Sequence, residues 1–123
     1  MYRYLILLLI SGSAYSHEFT PTYPELKYSH VQGVLKVDME LFNRREDVSY
    51  YELEVLDKSS VPLPFATQSK IVSVSFLERK KIEIYIREID AGRAVYVCSK
   101  SKLNKGMEKA SAVASKICSK IKR

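Results

Sequence analysis

Hydrophobic and polar positions alternate along most of this chain. In Val34–Phe42, residues Leu35, Val37, Met39 and Leu41 fall on one face, and Lys36, Asp38 and Glu40 on the other. A period of two with one apolar and one polar face predicts an antiparallel strand buried on one side and wet on the other. Val48–Leu56 repeats the pattern, with Tyr51, Leu53 and Val55 set against Tyr50, Glu52 and Glu54. Ile71–Phe76 places Val72, Val74 and Phe76 opposite Ser73 and Ser75, and Ile82, Ile84 and Ile86 alternate with Glu83, Tyr85 and Arg87. A turn at Asp90-Ala91-Gly92 then leads into Arg93–Ser101. The prolines of Phe19–Pro24 hold that stretch extended and remove ladder donors, which predicts an edge strand. Short strands separated by turn signals predict an all-β antiparallel sandwich in a single domain, residues 17–123.

The two ends of the chain read differently. Arg3, the apolar run Tyr4–Ile10 and the small residues Ala14 and Ser16 fit a cleaved signal peptide over residues 1–16. That run is shorter than the roughly 20 apolar residues a bilayer span needs, so no transmembrane segment is expected in the mature chain. At the C-terminal end, Met107, Ala110, Ala114, Ile117, Cys118 and Ile121 share a helical face. Val113, Ser115, Ile117, Ser119 and Ile121 share a strand face instead. A sandwich of about seven strands favours the strand, and a short helix stays open.

Export changes how the cysteines read. In a periplasmic or secreted protein, two cysteines favour a disulfide, and the single intramolecular pairing is Cys98–Cys118. Charge is also unevenly placed. Residues 17–98 carry 11 basic and 13 acidic residues, whereas residues 99–123 carry 8 basic and 1 acidic. The basic surface so predicted comprises Lys100, Lys102, Lys105, Lys109, Lys116, Lys120, Lys122 and Arg123. It suits an anionic surface such as a glycan or lipid headgroup. It lacks interleaved aromatics, so nucleic acid is not an expected partner.

Tyr96-Val97-Cys98 resembles the tyrosine corner of immunoglobulin domains, where a Tyr stands two residues before a strand-F cysteine. The partner cysteine and the core Trp of antibody domains are absent from the sequence. The chain is more similar to the immunoglobulin-like fold of periplasmic pilus chaperones, of PapD-like type. The similarity lies in the Pro-bearing first strand Phe19–Pro24, Leu41-Phe42-Asn43, Tyr50–Val55 and the alternating isoleucines. It also resembles small exported proteins, some of them phage-encoded. The chaperone resemblance implies β-augmentation, an exposed sheet edge pairing with a strand of a protein partner. Those chaperones hold a subunit carboxylate in a cleft between two domains, and this chain offers no second domain to form one.

Candidate chemistry is sparse. Cleavage after Ser16 makes His17 the mature N-terminus, whose amine and imidazole suit Cu(II), with His30 the remaining histidine. A small copper- or ligand-binding protein is therefore the alternative to a protein-binding module. A hydrolase triad needs a base oriented toward Ser or Cys, and His30 has no identifiable partner; Glu52 and Glu54 share a strand face as any solvated pair would. The expectation is a non-enzyme without a cofactor. Tyr23, Tyr28, Tyr50 and Tyr85 are candidate exposed contact residues.

Overall fold

In the computed structural model, residues 17–102 and 115–123 are described. The strands are β1 (Glu18–Thr20), β2 (Lys27–Tyr28), β3 (Val34–Phe42), β4 (Tyr50–Leu56), β5 (Ile71–Ser73), β6 (Arg79–Arg87), β7 (Tyr96–Lys102) and β8 (Lys116–Lys120). A single helical turn, α1 (Glu88–Ala91), precedes β7. The predicted signal peptide lies outside the described residues. Among the described residues, no helix is long and apolar enough to cross a membrane.

Two antiparallel sheets form the sandwich. One pairs β3 with β6 on one side and with β1 and then β2 on the other; the second runs β5-β4-β7-β8. The eight strands fill seven positions, because β1 and β2 occupy successive parts of one edge of β3. In constant-type immunoglobulin domains the fourth strand joins the sheet of the first. Here that strand, β5, pairs with β4 in the opposite sheet.

The alternation places the core as expected. Val37, Met39 and Leu41 meet Tyr51, Leu53 and Val55, with Ile82, Ile84, Ile86 and Val97 between the sheets. Burying side chains of this size contributes about 2 kcal/mol each, so these strands hold one another in register. The C-terminal segment is a strand: Ile117, Ser119 and Ile121 turn toward the core while Lys116, Cys118 and Lys120 turn out. The helical face is therefore not formed at Ile117, Cys118 and Ile121. Its remaining positions, Met107, Ala110 and Ala114, lie outside the described residues.

Two boundaries differ from the pattern. β5 stops at Ser73, and Phe76 is 45% exposed instead of facing the core. The chain turns there, with Leu77 at φ 62° and its N–H bonded to the Asn43 carbonyl at 2.7 Å. At the other edge, the chain leaves β1 through a cis Thr20–Pro21 bond and runs beside the C-terminus. The Thr22 and Pro24 carbonyls accept hydrogen bonds from Lys120 and Lys122. The first segment thus pairs with both sheets in turn.

Candidate functional site

The register of β7 and β8 decides what their side chains can do. Cys98 stands opposite Cys118, and Ser101 N–H to Ser115 O and Ile121 N–H to Val95 O flank them. By parity, residues 115, 117, 119 and 121 bond to β7, and 116, 118, 120 and 122 point away from it. Cys98 and Cys118 are therefore a non-hydrogen-bonded pair, the arrangement in which facing residues approach most closely. They are bridged, with a Cα–Cα distance of 4.1 Å and a sequence separation of 20.

This disulfide joins neighbouring strands of one sheet on its outer face. It does not cross the core as an immunoglobulin bridge does. Tyr96 shares that outer face, opposite Leu56 and Lys120. Its hydroxyl makes no hydrogen bond among the described residues, so the expected tyrosine corner is not formed. The cause is parity: Val97, Ser99 and Ser101 point inward, which turns Tyr96 and Cys98 outward.

The buried tyrosine is Tyr51, which donates to Asn43 Oδ1 at 2.5 Å. The same oxygen accepts from Arg45 N–H at 2.9 Å, and Asn43 Nδ2 donates to the Val48 and Val74 carbonyls at 2.7 and 2.8 Å. Every hydrogen-bonding position of this amide is filled. Asn43 so ties the end of β3 to the segments flanking β4 and β5. Burial pushes the Tyr51 hydroxyl pKa up to about 12. Sequence reasoning missed Asn43; its one signal was a polar residue closing a strongly alternating strand.

His17 is also internal, at 1% exposure. Its Nε2 hydrogen-bonds with Ser99 Oγ at 2.7 Å and its Nδ1 with Ser115 Oγ at 3.3 Å, and its ring lies 4.5 Å from that of Tyr51. Burial, with the Arg45 guanidinium nearby, lowers its pKa to about 4 even though the hydrogen bonding with Ser99 opposes the shift. The expectation that His17 offers its imidazole to copper is overturned, since both ring nitrogens are engaged inside the core. His30 is on the surface against Tyr85. Among the described residues no group of three or more His, Cys, Asp or Glu is placed to hold a metal. The His17–Ser99 pair is sealed from solvent, where no substrate reaches it.

Three lysines of the predicted basic surface are paired with carboxylates. Lys102 pairs with Glu52 at 3.4 Å, Lys116 with Glu54 at 3.3 Å and Lys122 with Glu25 at 3.6 Å. The Arg123 guanidinium donates to the Ala91 and Ala94 carbonyls. Lys100 and Lys120 are exposed and have no ion pair among the described residues, and Lys105 and Lys109 lie outside them. Glu52 and Glu54 are thus the counter-charges of this face. Of the tyrosines, Tyr23, Tyr28 and Tyr50 are exposed, whereas Tyr85 is half-buried and donates to Glu83 at 2.6 Å.

What remains open is backbone. Lys120 and Lys122 N–H are occupied by the Thr22 and Pro24 carbonyls. The outward N–H and C=O groups of Lys116 and Cys118 have no hydrogen-bond partner among the described residues. Ile117 between them is only partly buried against the core. Among the described residues this stretch is an unpaired strand edge, fastened to its sheet by a covalent bond.

No protein-family model and no curated protein matches the chain. Among solved structures it is similar to the crystal structure of the periplasmic chaperone SfaE, with a TM-score of 0.51 and 13% identity. The match covers 86% of this chain and 56% of that one, so the chain corresponds to little more than half of that protein. The likeness is one of fold.

Proposed function

We propose that this chain is an exported, chaperone-like protein-binding module that captures an extended segment of a partner along the open edge of β8. The observation that carries the reading is the row of outward backbone groups at Lys116 and Cys118, left open where the first segment closes the edge from Lys120 onward. An added strand would find donors and acceptors already aligned, and it would cover Ile117 as it docked. Bridging of Cys98 to Cys118 keeps the edge strand attached to β7 when a partner is bound or released. The bridge also fits an oxidising compartment, in line with the leader read in residues 1–16. Similarity of fold to a periplasmic chaperone supports a binding role and does not identify the partner.

Lys116→Pro tests this reading, because it removes an outward donor and leaves the ladder to β7 intact. The wild-type protein, used as bait in extract from its source cells, is expected to retain a partner that the variant loses. In the wild-type complex the Lys116 and Cys118 amides are expected to gain protection from hydrogen exchange. A retained partner that leaves those amides unprotected refutes strand addition at β8.

A further inference from the structure

A second sheet edge is open on the opposite side of the sandwich. Between β5 and β6 the two sheets part around a groove of about 690 Å³, with Ile71, Val72 and Ile82 among its lining. The two walls are not equivalent. On β5, the outward carbonyls of Ile71 and Ser73 are capped by Ser69 Oγ at 2.5 Å and by Lys80 Nζ at 2.8 Å.

On β6 the odd-numbered residues face away from β3. Tyr85 demonstrates this by exchanging two 2.8 Å hydrogen bonds with Ala66, and the Glu83 carbonyl accepts from Thr67 Oγ1 at 2.8 Å. Beyond that point the outward backbone of Lys81 has no partner among the described residues. Ala66 therefore already forms the first rung of an added strand that this chain does not continue.

Charge selects the occupant. Lys80 and Lys81 line this opening, and Lys70 follows the lining residue Ser69 and precedes the lining residue Ile71, with its ammonium over the Phe65 ring; none of the three has a carboxylate within ion-pair distance among the described residues. Glu83, the acidic residue of the lining, is occupied by Lys36 at 3.7 Å and by the Tyr85 hydroxyl. Lysines at an edge oppose pairing with another copy of the same edge. A second copy would bring its own lysines into contact with these, whereas a strand bearing carboxylates would neutralise them.

We propose that the β5–β6 groove is a second strand-addition site, which takes an extended acidic segment of a partner protein along the outer edge of β6. Alternate side chains of that segment would rest on Ile71 and Ile82, and its carboxylates would meet Lys70, Lys80 and Lys81. The site is separate from the β8 edge and does not depend on it.

A fluorescent peptide of alternating Glu and Val, about eight residues long, is a sufficient probe for such a strand. Anisotropy with the purified protein is expected to report binding that weakens at least tenfold, roughly 1.4 kcal/mol, in the double variant Lys70→Glu/Lys81→Glu. Lys100→Glu/Lys120→Glu carries the same charge change on the outer face of the other sheet and is expected to bind as wild type does. Lys116→Pro is likewise expected to bind normally, so loss of the β8 reading leaves this one standing. The same peptide N-methylated at alternate residues keeps its charge and loses its ladder, and is expected not to bind. Absence of binding by the unmethylated peptide, equal binding by the methylated one, or an equal loss in the Lys100/Lys120 variant would each overturn the proposal. Unchanged melting of the variants establishes that the fold is intact.

Discussion

Cys98 and Cys118 face each other across β7 and β8 on the outer side of one sheet, with 4.1 Å between their Cα atoms. Tyr96 stands on the same side, two residues before Cys98. A Tyr-x-Cys run has this common orientation whichever face it occupies, because a two-residue step preserves the face of a strand. The bridge here fastens an edge strand; Cys98 is fully buried but lies outside the hydrophobic cluster between the sheets.

Loss of that bridge should be felt chiefly through the unfolded chain. Closing a loop of about 20 residues contributes roughly 3 kcal/mol in the chain-entropy account. Cys118→Ala is therefore expected to lower the melting temperature on the order of 10 °C under oxidising conditions. In reductant, wild type and variant should melt together. Equal melting of the wild type with and without reductant contradicts the assignment.

Asn43 should matter more than its neighbours suggest. Asn43→Ala leaves the buried Val48 and Val74 carbonyls without their donor and removes the acceptor of Tyr51 and Arg45. Unmade buried hydrogen bonds cost about 1–3 kcal/mol each, so a loss of about 4 kcal/mol is expected in urea unfolding. Tyr51→Phe leaves Asn43 Oδ1 still bonded to Arg45 N–H and is expected to cost about 1 kcal/mol. The double variant should fall short of the sum, since both changes remove the same contact.

Leu77 offers the opposite sign. It holds φ 62° with its side chain 59% exposed, so it carries a left-handed backbone without a packing return. A Cβ-bearing residue in that region costs about 1–2 kcal/mol, and Asn tolerates it better than Leu. Leu77→Asn is expected to raise stability by roughly 0.5–1 kcal/mol in urea unfolding. A loss of stability would mean that Leu77 makes a favourable contact its exposure does not reveal.

The strands with full alternation were legible because their apolar faces are unbroken: β3, the inward side of β4 and the isoleucines of β6 all pack as the period of two requires. β7 was legible as a strand and illegible as to face. Its inward side carries Ser99 and Ser101, which read as solvent positions until His17, Ser115 and Arg45 are brought against them. Those partners lie up to 82 residues away, a separation no local pattern encodes. The open edges were equally hidden, since which backbone groups stay unpaired depends on how Thr22, Pro24 and Ala66 cross the sheets. The basic C-terminal run was legible in composition, but the pairing of Lys102, Lys116 and Lys122 with Glu52, Glu54 and Glu25 depends on how the strands are brought together.

His17 should make stability depend on pH in a window set by its own titration. The folded pKa is about 4, below the ordinary histidine value of 6.5, chiefly because burial disfavours the imidazolium. Between those values the unfolded chain binds a proton that the native protein does not, so stability rises with pH. The contribution is complete above about pH 6.5 and is lost as pH falls toward 4. By pH 4.5 the loss should be on the order of 2 kcal/mol. His17→Phe keeps a ring beside Tyr51 and removes the titrating group, although it leaves Ser99 and Ser115 to find other partners. Urea midpoints at pH 7 and pH 4.5 should therefore differ less in the variant than in the wild type, by about that amount. Parallel shifts in both proteins would mean that His17 is protonated in the native core, and that its hydrogen bonds with Ser99 and Ser115 hold an imidazolium.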